Sequence, residues 1–100
     1  MALKIYKNEK LTDIQKIGAL KNLTDLEIRS CKNLKNLTGL NNANKLEKLN
    51  FQNNGLNDIS AINELQNLKI IDLSNNNIAE LMSFGKLNNL ESLTLNNNNI

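Results

Sequence analysis

The feature that most constrains this chain is an apolar frame that returns every 22 or 23 residues. Asn54, Asn76 and Asn98 stand 22 residues apart, and Asn8 and Cys31 continue the series backwards in steps of 23. The same spacing precedes each of these anchors: Leu46, Leu49 and Phe51 before Asn54, Leu68, Ile71 and Leu73 before Asn76, and Leu90, Leu93 and Leu95 before Asn98. Leu23, Leu26 and Ile28 lead to Cys31 in the same way, and Leu3 and Ile5 lead to Asn8. A unit this short cannot bury its own apolar face, so units with a fixed period must stack on one another. The chain is therefore read as one domain over residues 1–100, with repeats at about 1–22, 23–45, 46–67 and 68–89 and a partial repeat at 90–100.

Within a unit the pattern changes period. Residues leading to the anchor alternate apolar and polar, which is the period of a strand with one buried face. Behind the anchor the apolar residues come every third position, as in Leu34, Leu37, Leu40 and Ala43 or Leu56, Ile59, Ile62 and Leu65. The same holds for Leu11, Ile14, Ile17 and Leu20 and for Ile78, Leu81, Phe84 and Leu87. A spacing of three suits neither a strand nor a long α-helix, but fits 3₁₀ turns or a loose extended coil. The expected architecture is an α/β-type repeat solenoid with a parallel sheet on one face and 3₁₀ or irregular turns on the other. Phase also gives the Asn runs at 75–77 and 96–99 a structural meaning instead of that of a low-complexity tract. An anchor amide carries donors and an acceptor, enough to satisfy backbone groups where the chain leaves the sheet. Cys31 fits such a site because a thiol is small and a weak donor. Asn53, one residue before an anchor and turned outward, is expected to tolerate alanine.

The frame LxxLxLxx(N/C), carried by Leu23 to Cys31, Leu46 to Asn54, Leu68 to Asn76 and Leu90 to Asn98, resembles the leucine-rich repeat. Its 22-residue length is similar to the short repeats of internalins and of phosphatase regulatory subunits. It departs from internalin repeats in having no proline. The resemblance implies that the strands present a concave binding surface to a protein partner. Outward frame positions are Ala2, Lys4, Tyr6, then Asp25, Glu27, Arg29, then Lys48, Asn50, Gln52, then Ile70, Asp72, Ser74, and last Ser92, Thr94, Asn96. Tyr6, Arg29, Gln52, Ile70 and Asp72 are the candidate partner-binding residues, since Tyr and Arg are common interface anchors and an exposed Ile on a polar face calls for a cover. Asn8, Cys31, Asn54, Asn76 and Asn98 are the candidate structural anchors.

Other function classes find little to build on. The sequence holds no histidine, which removes Ser-His, Cys-His and His-metal sites, so neither catalysis nor a cofactor or metal is expected. Asp25 and Glu27 share a strand face, but with Lys4 and Lys48 in neighbouring rows they read as a charge-balanced surface. Phe84-Gly85-Lys86 lacks the other elements of a phosphate loop. A net charge of +2 is too mild to imply nucleic acid, and Tyr6 is the only residue placed to stack on a base. Charge is nonetheless split: residues 1–50 carry ten cationic and five acidic side chains, and residues 51–100 carry two and five. Cys31 has no second cysteine to pair with. No apolar run reaches the roughly 18 residues of a membrane span, so no membrane partner is expected. The first ten residues lack the apolar core of a signal peptide, which points to the cytoplasm for a chain with its natural start, and to the cell surface or secretion for a piece of a longer one. Asn22-Leu23-Thr24 and Asn36-Leu37-Thr38 match a glycosylation pattern, but both arise from the repeat frame. An alternative reading is an assembly unit or a fragment of a longer array, self-associating through an apolar end formed by Leu90, Leu93, Leu95 and Ile100.

Overall fold

The computed structural model describes residues 1–81, 84 and 86–100. Among them are five strands, β1 (Ala2–Tyr6), β2 (Asp25–Arg29), β3 (Lys48–Asn50), β4 (Ile70–Asp72) and β5 (Ser92–Thr94). They form one parallel sheet in the order of the sequence. Register follows directly from the repeat period: Leu3, Leu26, Leu49, Ile71 and Leu93 stand opposite one another across successive strands. Because side chains alternate along a strand, this alignment stacks inward residues on inward residues. Leu26, Ile28, Leu49, Phe51, Ile71 and Leu73 are all buried.

The return path of each unit confirms the spacing of three as a hydrogen-bond period. Ile17 N–H donates to Ile14 O at 3.0 Å, Leu20 to Ile17 at 3.0 Å and Leu23 to Leu20 at 3.1 Å. The third repeat follows the same path, with Ile62 donating to Ile59, Leu65 to Ile62 and Leu68 to Leu65. Among the described residues three stretches of this path are regular 3₁₀ helix, Gln15–Ala19, Leu40–Asn42 and Ser60–Glu64. A 3₁₀ helix brings every third side chain to the same face, so Leu37, Leu40, Ala43, Ile59, Ile62 and Leu65 all enter the core. The first two 3₁₀ segments approach closely: a Cβ at Gly18 would lie 2.1 Å from the carbonyl oxygen of Gly39, whose own φ is +92°. Only glycine fits there.

Two frame positions depart from the expected burial. Leu20 is 36% exposed and Leu81 is 51% exposed. Their counterparts Ala43 and Ile59 lie between neighbouring turn segments, whereas Leu20 belongs to the first repeat and Leu81 to the fourth, each with a neighbour on one side only among the described residues. The same geometry leaves Leu93 and Ile100 exposed, while Leu90 and Leu95 are half-buried. No helix among the described residues is long and apolar enough to cross a membrane.

Candidate interaction face and the ladder beneath it

The outward side chains of the sheet fall into rows set by the strand register. Ala2, Asp25, Lys48, Ile70 and Ser92 form one row, and Lys4, Glu27, Asn50, Asp72 and Thr94 the next. Tyr6 and Arg29 begin the third row as direct cross-strand neighbours. Glu27 ties this pair together. Its carboxylate accepts a hydrogen bond from the Tyr6 hydroxyl and lies 3.9 Å from an Arg29 guanidinium nitrogen. The hydrogen bond to Glu27 raises the Tyr6 phenol above its ordinary value of 10.0, because ionisation would set a phenolate against a carboxylate. Glu27 is thus engaged by Tyr6 and Arg29, with Lys4 beside it and Lys48 beside Asp25 across neighbouring strands. Among the described residues Lys4, Lys48 and Asp25 form no ion pair.

Beside this cluster the first two rows line an open trough running from Ala2 and Lys4 past Asp25 and Glu27 to Ile70 and Asp72. Ile70 is 40% exposed among polar neighbours and Tyr6 48% exposed. Of the five expected contact residues, Tyr6 and Arg29 therefore meet, and Ile70 and Asp72 lie together farther along the sheet. Besides Tyr6 and Arg29, which Glu27 holds, two more of the five serve local contacts. Gln52 donates from its side-chain amide to Asn50 Oδ1 at 3.0 Å, and Asp72 Oδ1 accepts from both the amide and the hydroxyl of Ser74.

At the edge of the sheet where each chain segment turns away, the anchor amides form a ladder. Asn76 is 6% exposed. Its Oδ1 accepts from the backbone of Asn54 at 3.2 Å and Leu56 at 3.1 Å, while its Nδ2 donates to the carbonyls of Phe51 and Leu73, each at 2.9 Å. Asn54 repeats the pattern one unit earlier, accepting from Cys31 N–H at 2.9 Å and donating to Ile28 and Phe51. Asn98 does so one unit later, accepting from Ile78 N–H and donating to Leu73 and Leu95. Each amide thus closes its own turn and locks onto the turn before it.

Comparison with known proteins agrees with this geometry. The family model for leucine-rich repeats in two copies matches residues 44–84. Among solved structures the chain is similar to an internalin (inlF) from Listeria monocytogenes, with a TM-score of 0.86 and 33% identity over 95% of this chain and 27% of that one. The fold is a leucine-rich-repeat solenoid. A leucine-rich-repeat protein from Leptospira interrogans is also similar, with a TM-score of 0.63 and 27% identity over 96% of this chain and 31% of that one. The chain spans less than a third of either protein. No curated protein matches its sequence. Leucine-rich-repeat domains generally mediate protein–protein interaction.

Within this leucine-rich-repeat solenoid, several residues behave differently from what the frame suggests. Asn8 has the anchor phase but is exposed, and its Oδ1 accepts only from Lys10 two residues on. Among the described residues it makes no bond to another turn. Cys31 is fully buried, and its thiol reaches only the Arg29 carbonyl at 3.5 Å, so no anchor amide at this frame position links the first turn to the second. Asn53 also differs from expectation. Its φ is +58°, and Lys7, Ser30, Asn75 and Asn97 at the same frame position have φ between 54° and 60°. Left-handed backbone disfavours residues other than glycine, with Asn among the better tolerated, so Asn53→Ala would strain the turn. An Asn directly before the anchor in three of five repeats was the available signal for this conformation. Gly85, part of the Phe84-Gly85-Lys86 segment, lies outside the described residues.

Proposed function

We propose that this chain is a protein-interaction module that grips its partner with the outward face of the sheet. The observation that carries the reading is the Tyr6–Glu27–Arg29 cluster, in which a half-exposed aromatic ring and a guanidinium are held by one carboxylate beside a trough ending at Ile70. Ordering two flexible side chains before contact lowers the entropy lost on binding. Ile70 supplies apolar area that a partner would cover, and Tyr and Arg are the residue types in which interface energy concentrates. Binding without catalysis is also what a sequence free of histidine favours. The test is a combined Tyr6→Ala, Arg29→Ala and Ile70→Ala variant, used as bait in extracts of the source cell beside the unaltered chain. All three residues point outward, so the variant is expected to stay folded by circular dichroism and to lose the protein that the unaltered chain retains. Full retention by the folded variant would move the contact to the turn side.

A further inference from the structure

Asn54-Gly55 is the one Asn-Gly pair in the sequence. Such a pair is the most reactive setting for an asparagine, because the glycine has no Cβ to hinder its nitrogen from reaching the amide carbon before it. Here the fold demands both residues. Asn54 is a ladder rung, and a Cβ at Gly55 would lie 2.4 Å from the carbonyl oxygen of Lys32 and 2.7 Å from Lys35 Nζ. The next two rungs are followed by Asn77 and Asn99, whose side chains impede the same attack. We propose that Asn54-Gly55 is a latent deamidation site, held shut by the native ladder and opened by unfolding, so that loss of the fold becomes covalent at one bond.

Every atom the reaction needs is occupied in the folded chain. The nucleophile, Gly55 N, donates to Leu34 O at 3.1 Å. The leaving nitrogen, Asn54 Nδ2, donates to Ile28 O at 2.7 Å and Phe51 O at 2.8 Å, and Oδ1 accepts from Cys31 N–H at 2.9 Å. These contacts tie the side chain to its own turn and to the preceding strand. Once they are gone, Gly55 N attacks Asn54 Cγ. The new N–Cγ bond closes a succinimide, the Cγ–Nδ2 bond breaks, and Nδ2 departs as ammonia with the proton that Gly55 N gives up. Water then opens the ring at either carbonyl, leaving an aspartyl or an isoaspartyl link. Neither product has a donor for the Ile28 and Phe51 carbonyls, and the isoaspartyl form adds a methylene to the backbone beside the left-handed Asn53. The product is a rung that cannot be rebuilt.

The experiment incubates the full chain at mildly alkaline pH, in buffer and in guanidinium, and follows each asparagine by peptide mass mapping. Because the reaction needs an open site, Asn54 should convert about 100-fold or more slowly in buffer than in denaturant. In denaturant it should convert ahead of every other asparagine. On dilution, the fraction regaining native circular dichroism should equal the fraction unmodified at Asn54. Equal rates at Asn54 in the two conditions, earlier conversion of another asparagine in denaturant, or full refolding of the modified chain would each overturn the proposal.

Discussion

At the residue scale the anchor amides each serve two turns at once. Removing the Asn76 side chain would leave the buried amides of Asn54 and Leu56 without an acceptor and take one of two amide donors from each of the carbonyls of Phe51 and Leu73. Leaving two buried N–H groups unpaired should cost about 3 kcal/mol for Asn76→Ala. Asn57→Ala is the proper comparison, since Asn57 is exposed and outside the left-handed positions, and should change stability by less than about 0.5 kcal/mol. Denaturant melts of the two variants decide the matter, and equal midpoints would remove the ladder from the account. Tyr6 offers a second test, because it is the only tyrosine and tryptophan is absent. Its phenolate absorbance should appear above the ordinary 10.0, and Glu27→Gln should bring the midpoint down by removing the hydrogen-bonded carboxylate. The sign follows from linkage. A phenol whose folded value is raised stabilises the native state below its unfolded value, and that contribution is lost as pH rises through the folded value. An unchanged midpoint in Glu27→Gln would show that the pair does not persist in solution.

At the element scale the strands and turns were largely legible in the sequence, and for a physical reason. A switch from period two to period three marks where the ladder of strand hydrogen bonds gives way to 3₁₀ bonds, and both periods are written in the positions of Leu and Ile. The positions that escaped are those where identity depends on neighbours. Asn8 and Asn54 look alike in the frame, but among the described residues only Asn54 bonds to a preceding turn. The backbone sign at Asn53 is invisible to a count of polar and apolar residues. The Tyr6–Glu27–Arg29 cluster could be read only as three outward residues until the register set Tyr6 against Arg29. The junction of the first two repeats shows the compensation that follows a missing rung. In place of an amide at position 31 there are β1 and β2, at five residues each the longest strands, with an Asn33 amide bonded to Glu9 O at 2.7 Å and a Lys32–Glu9 ion pair at 3.3 Å. That pair is exposed and contributes little. Cys31→Asn should therefore supply the missing rung and raise stability by about 1 kcal/mol, read as a higher melting midpoint. A lower midpoint would mean that the buried thiol site is too tight for an amide.

At the scale of the whole molecule, the repeat period builds two faces with different duties. The inner face and the amide ladder hold the units in one register, which frees the outer face of the sheet from any structural task. The residues expected to contact a partner then sort by how they are held: Ile70 is exposed among polar neighbours, Tyr6 and Arg29 are ordered by Glu27 with their outer surfaces open, and Gln52 and Asp72 bond to neighbours on their own strands' ends. The most direct test of the sheet face as the docking surface is photo-crosslinking in source-cell extracts. A benzophenone amino acid is placed at position 70, on the trough, or at position 64, at the end of the third 3₁₀ segment on the opposite side. A sheet-face module predicts a discrete protein adduct from position 70 and none from position 64. An adduct from position 64 alone, or the same adduct from both, would contradict it.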